Sequence, residues 1–176
     1  MRLIFLDFDG VLNTEAWQNH CISIGQRTED GFGPAFDPEA VAHLAEIMHA
    51  FPDTAVVITS SWKLDGIARM QRLWEKRSLP GKLLGITPDY VPKFDERTFD
   101  DILQGILPVE RGAEIKEWQK RNNATDCPYV ILDDLQDFYP DQQAHFVEID
   151  PRMGITAEDA SRAIEILRHH FTHKAT

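Results

Sequence analysis

The chain has 176 residues, 43% hydrophobic and 27% charged, with a formal net charge of -11 at pH 7. That length can build a core without disulfide or metal staples, and the composition excludes collagenous, low-complexity and largely disordered chains. The negative balance argues against a protein held on nucleic acid mainly by phosphate neutralisation, which needs a lysine and arginine excess on some face, although it leaves room for a local basic groove.

The run "RLIFL" at 2–6 is short, apolar and rich in strand formers, as in a strand buried on both faces. A helix is expected from Pro38 to about Ala50, with Asp37 as cap, Pro38 at the first position and Val41, Leu44, Ala45 and Met48 as its apolar stripe. "AVVI" at 55–58 follows as a second strand, and "LLGI" at 83–86 is a candidate for another. "GAEIKEWQKRN" reads as a helix with Ile115 and Trp118 on one face, and "YVIL" at 129–132 as the next strand. "HFVEI" at 145–149 is the expected last strand. A closing helix follows, with Thr156 and Asp159 as its capping pair and Ala160, Ala163, Ile164 and Leu167 turned inward.

This alternation predicts an α/β fold: a Rossmann-like three-layer sandwich with a mostly parallel central sheet, helices on both faces and no large cap domain. One domain spanning 1–176 is expected, with small inserts or loops at about 13–36 and 78–110. Cys21 and Cys127 lie far apart in a chain with no secretory-looking start, so reduced thiols and a cytoplasmic location are expected. The N-terminal apolar run is too short to span a membrane.

In an open parallel sheet the ligand site lies beyond the carboxyl ends of the strands. The residues there are unusually polar: Asp7 and Asp9 after the first strand, Thr59, Ser60 and Ser61 after "AVVI", and Asp133 and Asp134 after "YVIL". In an extended segment Asp7 and Asp9 point to one side, and Gly10 lets the backbone turn tightly away. Close carboxylates repel unless a cation or proton intervenes, and an oxygen-only cluster suits Mg²⁺. Asp7 is thus a candidate nucleophile toward phosphorus, with Asp9 as its proton-transfer partner. An EF-hand is excluded, because counting from Asp7 puts Leu12 where the turn glycine belongs and Gln18 where the bidentate glutamate belongs.

"DFDGV", "VVITSSW" and "YVILDD" resemble the first, second and fourth motifs of the haloacid dehalogenase (HAD) superfamily. More narrowly, "FLDFDGVLN", "ITSSWK", "RGAEIKEW", "VILDD" and "GITAEDA" are similar to the HAD domain of Swiss Army Knife RNA repair proteins, over nearly the whole chain. The resemblance implies a Mg²⁺-dependent phosphomonoester hydrolase with Asp7 as nucleophile and metal ligand. Asp9 would be general acid and then base, giving its backbone carbonyl to the metal, and Asp133 and Asp134 would be the acids of the fourth motif. Thr59 would hydrogen-bond the phosphoryl group, with the backbone near Ser60 and Gly10 completing the phosphate pocket. Arg111 best fits the third-motif cation, with Lys116 and Lys93 as alternatives. Lys63 stands where the narrower family often has arginine.

The implied partners are a phosphorylated substrate, either a nucleic-acid end, a nucleotide or a small molecule, and a repair protein able to close an open site. The rival reading is a non-enzymatic phosphate-binding or receiver-like interaction domain on the same fold, which has no need of an acid/base two residues after its phosphoacceptor. Blander roles are also open: Thr59, Ser60 or Ser61 as a helix cap, Trp62 as a packing residue rather than a substrate platform, Asp137 as a helix-start charge rather than an acid supporting the metal-site acids, and His169, His170 and His173 as a solvated tail.

Overall fold

The computed structural model describes residues 1–89 and 110–169. Its main sheet has five parallel strands: β1 (Arg2–Leu6), β4 (Thr54–Ile58), β5 (Lys82–Ile86), β6 (Tyr129–Asp133) and β7 (Phe146–Glu148), in the order β5-β4-β1-β6-β7. The chain winds outward from β1 through β4 to β5 and then returns to the other side of β1, so the winding direction switches between β1 and β6. At such a switch point the connections leave in opposite directions and open a crevice beyond the strand ends.

Strand side chains alternate between the two faces, and the core divides accordingly. Ile4, Leu6, Val56, Ile58, Val130 and Leu132 pack with α2 (Pro38–Ala50), α3 (Ile67–Lys76) and α5 (Ala157–Arg168). Leu3, Phe5, Val57 and Ile131 pack on the other face with Ile115 and Trp118 of α4 (Glu110–Arg121). The result is the expected three-layer α/β core.

The expected elements recur with small shifts. The Asp37 side chain accepts from the Glu39 N–H at 2.9 Å, capping α2 at the expected position. The buried stripe of α2 is Ala40, Leu44, Ile47 and Met48; Val41 is only partly buried and Ala45 is not in the core. The stripe is therefore rotated from the expected one, because α2 packs against α5 as well as the sheet. Thr156 and Asp159 form a reciprocal capping box at the start of α5, with Ala160, Ala163 and Leu167 buried beneath it.

The region expected as an irregular insert after β1 contains α1 (Glu15–Ser23) and a two-stranded hairpin of β2 (Glu29–Asp30) and β3 (Gly33–Pro34). Only Cys21 of α1 is buried. Such a helix leaves almost no apolar period in the sequence. The candidate strand at 83–86 is real and begins one residue earlier. Lys93, and most of the expected insert at 78–110, lie outside the described residues, as do His170 and His173. Cys21 and Cys127 are both free thiols.

Ile115 carries the contact between α4 and the sheet and is fully buried. Ile115→Ala is expected to destabilise the protein by about 3 kcal/mol. Urea unfolding checks this, with a lowered midpoint at unchanged slope.

Candidate active site

The alternation that buries Leu3 and Phe5 against α4 continues past the end of β1 to Asp7. By the same count Val57 leads to Thr59 and Ile131 to Asp133. Phe5 is in register with both Val57 and Ile131, so the three polar residues fall in one row across adjacent strand ends. The row is held by the Thr59 N–H to Leu6 carbonyl bond at 2.9 Å and the Asp7 N–H to Leu132 carbonyl bond at 3.0 Å.

Carboxyl oxygens of Asp7, Asp133 and Asp134 lie within 4.8 Å of one another. Asp7 and Asp133 are buried, and Asp134 is half-buried. Arg111, in the first turn of α4, directs Nη1 between the first two, 2.7 Å from Asp7 Oδ2 and 2.5 Å from Asp133 Oδ2. The remaining oxygens are held by backbone: Phe8 N–H donates to Asp7 Oδ1 at 2.7 Å, and Leu135 N–H to Asp133 Oδ1 at 2.9 Å.

Burial and the neighbouring Asp7 charge push the Asp133 carboxyl up to about 7, against the opposite pull of Arg111. Asp134 is raised for the same two reasons. Arg111 is itself desolvated, but the Asp7 and Asp133 charges outweigh this and raise its proton affinity further. One guanidinium facing three carboxylates leaves an excess of negative charge. The donors are all hard oxygens, so the set fits a divalent cation such as Mg²⁺.

Gly10 sits at φ 70°, and a Cβ there would come within 2.8 Å of Asp134 Oδ2 and 2.7 Å of Pro151 Cβ. Its lack of a side chain therefore lets the turn after β1 close onto Asp134, beyond the tight turn expected of it.

Asp9 departs from the expectation that it shares a side with Asp7. Extended geometry ends at Leu6, and the Phe8 carbonyl then accepts from the N–H groups of Val11, Leu12 and Asn13, which marks a turn. The two-residue alternation no longer applies. The exposed Asp9 carboxylate instead accepts from Asn13 Nδ2 at 2.7 Å and from Trp62 Nε1 at 3.0 Å, outside the three-acid cluster.

Thr59 Oγ1 is buried and has no hydrogen-bond partner among the described residues. The capping role falls instead to Ser60, whose hydroxyl accepts from the Trp62 N–H at 3.4 Å over the short 3-10 turn Ser61–Asp65. Lys63 makes no ion pair with Asp7. It is buried in an ion pair with Glu114 and donates to Thr87 Oγ1 at 3.1 Å. Lys116 pairs with Asp141 at 2.8 Å. Among the described cations weighed for the third motif, Arg111 alone reaches Asp7.

Asp137 acts at a helix start, but at that of α4 rather than of a helix following it. Its Oδ2 accepts from the N–H groups of Glu110 at 3.1 Å and Arg111 at 2.9 Å, and its carbonyl accepts from Gly112 N–H at 3.0 Å. The loop after β6 thereby fixes the backbone that presents Arg111. Neither this cap nor the Trp62–Asp9 bond was visible in sequence, because the partners are 26 and 53 residues apart. Asn13, four residues after Asp9, is the one partner that a local turn could have pointed to.

A family model described as the HAD domain in Swiss Army Knife RNA repair proteins matches residues 3–160. The chain belongs to this family. Membership places this HAD domain among HAD-type hydrolases, on the Rossmann-like core already described. No curated protein and no solved structure matches it. Among the described residues, no helix of the domain is long and apolar enough to cross a membrane.

Folded Asp133 keeps its proton up to about pH 7, whereas an unfolded aspartate loses it near 3.8. The folded state binds more protons between those values, so its stability falls as pH rises through that window. Metal-free protein is therefore expected to melt at a lower temperature at pH 7.5 than at pH 5. Mg²⁺ should raise the melting temperature more at pH 7.5, and Asp133→Asn should flatten both trends in a thermal-shift series. Asp137→Ala should cost about 1 kcal/mol through loss of the α4 cap, readable by urea unfolding.

Proposed function

We propose that the protein is a Mg²⁺-dependent phosphomonoester hydrolase working through a phosphorylated Asp7. The observation that carries this reading is the Asp7–Asp133–Asp134 cluster at the switch point of the sheet, its two buried acids bridged by a single guanidinium. The unpartnered hydroxyl of Thr59, in the same row, supports it. A buried hydroxyl left unpaired costs about 1–3 kcal/mol, and a phosphoryl oxygen would satisfy it.

In this mechanism an oxygen of Asp7 attacks phosphorus while the bond from phosphorus to the leaving oxygen breaks, and the Asp9 carboxyl gives its proton to that oxygen. Water then attacks the phosphoaspartate, passing a proton back to Asp9. The bond from phosphorus to Asp7 breaks, releasing inorganic phosphate and restoring the starting state. Arg111 orients Asp7 and offsets charge on the transferring group, while Thr59 and the backbone amides near Ser60 and Gly10 hold the phosphoryl oxygens. Mg²⁺ would be held by Asp7, Asp133, Asp134 and the Asp9 carbonyl, and when bound it would offset the negative charge of nucleophile and substrate together.

A phosphorylated nucleic-acid end or a nucleotide is the substrate class that accords with the RNA repair description of the family, with a repair protein as partner. The net charge of -11 weighs against long nucleic acid held by phosphate contacts alone. A short end entering the crevice needs fewer such contacts.

A phosphate-release screen with 3′- and 5′-phosphorylated oligonucleotides, nucleotides and sugar phosphates tests the assignment. Turnover should need Mg²⁺ and stop on chelation. Asp7→Asn should lower it by on the order of a thousandfold, and Asp9→Asn by about a hundredfold or more. Undiminished turnover in Asp7→Asn would exclude the phosphoaspartate route.

A further inference from the structure

We infer that Trp62 is a positioning residue for Asp9, acting through its indole N–H; the inference rests on the phosphatase reading. The Trp62 Nε1 to Asp9 Oδ2 bond of 3.0 Å joins residues 53 positions apart, and Asn13 Nδ2 holds the other carboxyl oxygen at 2.7 Å. Asp9 is exposed and lies just beyond the end of β1, so nothing else in its own turn would fix the plane of its carboxyl. Two N–H donors, one on each oxygen, do so. Each carboxyl oxygen keeps a further lone pair for the proton exchanged with leaving group and water.

The indole is itself held from several directions. Its ring meets Phe8 edge-on at a centroid distance of 5.5 Å and lies 5.8 Å from Phe36. The hairpin closes over it at Gly33, where a Cβ would come within 2.9 Å of Trp62 Cη2. Arg77 locks that hairpin, with Nε and Nη2 donating to Asp30 at 3.0 and 2.8 Å and Nη2 also to the Gly33 carbonyl at 3.1 Å, while its guanidinium stacks over Phe36 at 4.2 Å. The insert after β1 and the turn after β4 thus converge on one hydrogen bond to the acid/base residue. A packing role alone would be served by phenylalanine; the N–H is what phenylalanine lacks.

Trp62→Phe keeps an aromatic ring at the site, gives up the outer part of the indole that lies beneath Gly33 and removes the donor, and the leaving-group dependence separates the lost donor from the lost packing. An alkyl phosphate needs its leaving oxygen protonated as the bond to phosphorus breaks, whereas p-nitrophenyl phosphate expels a stable phenolate and needs little help. The kcat/KM of Trp62→Phe for glycerol 2-phosphate should fall about tenfold, with less than about threefold loss for p-nitrophenyl phosphate. Equal loss on both substrates, or none on either, would overturn the inference, since a purely structural lesion ignores the leaving group.

A second measurement needs no turnover. In ¹H–¹⁵N spectra of the otherwise intact protein, the Trp62 indole resonance, identified by its absence in Trp62→Phe, should shift on Asp9→Ala. An unmoved resonance would also overturn the inference. Wild-type protein that releases phosphate from no monoester, with the indole shift still seen, would instead sink the phosphatase reading and leave the contact standing.

Discussion

A single guanidinium nitrogen, Arg111 Nη1, lies within 2.7 Å of two buried carboxylates at the ends of different strands. Two such acids beside each other, with a third within 4.8 Å, could not all stay ionised in a protein interior without a cation. Arg111 offsets part of that charge, and its place depends on a helix start that Asp137 caps from the loop after β6. The loop that carries the acids of β6 therefore also anchors the residue that holds them. Breaking a buried ion pair on one side leaves an uncompensated charge, so helix, loop and strands are coupled through this one contact.

The residual negative charge gives the site its chemical character. Asp133 holds its proton up to about 7 because burial and Asp7 outweigh Arg111. A divalent cation would compete with that proton for the same oxygens. Beside the cluster, Lys63, Glu114 and Thr87 form a second buried polar group whose members answer one another. α4 faces both groups: Arg111 and Glu114, three residues apart on one side of the helix, reach the first and second in turn.

The aromatic neighbourhood of Asp9 differs from this charged interior. Asp9 is exposed and is bound by neutral N–H donors from Asn13 and Trp62. Nucleophile and acid/base candidates two residues apart thus occupy unlike environments. The first is locked by charge on the α4 face, and the second is pinned by hydrogen bonds next to the insert. That separation suits two carboxyls with different tasks.

Sequence alone determined the strands of the main sheet, most of the helices, the parallel α/β class and the identity of the polar strand ends, because each follows from local periodicity and from residues adjacent in the chain. The resemblance also pointed to Arg111 at the start of the helix before β6. The row of Asp7, Thr59 and Asp133 was half legible: alternation from Phe5, Val57 and Ile131 sets their facing, but only the register of the sheet sets them side by side. Tertiary structure alone decided that Asp9 turns to Trp62 rather than following Asp7, that Asp137 caps a helix earlier in the chain, and that Lys63 pairs with Glu114. Each depends on a contact between segments far apart in sequence, where no periodicity records which donor will meet which acceptor.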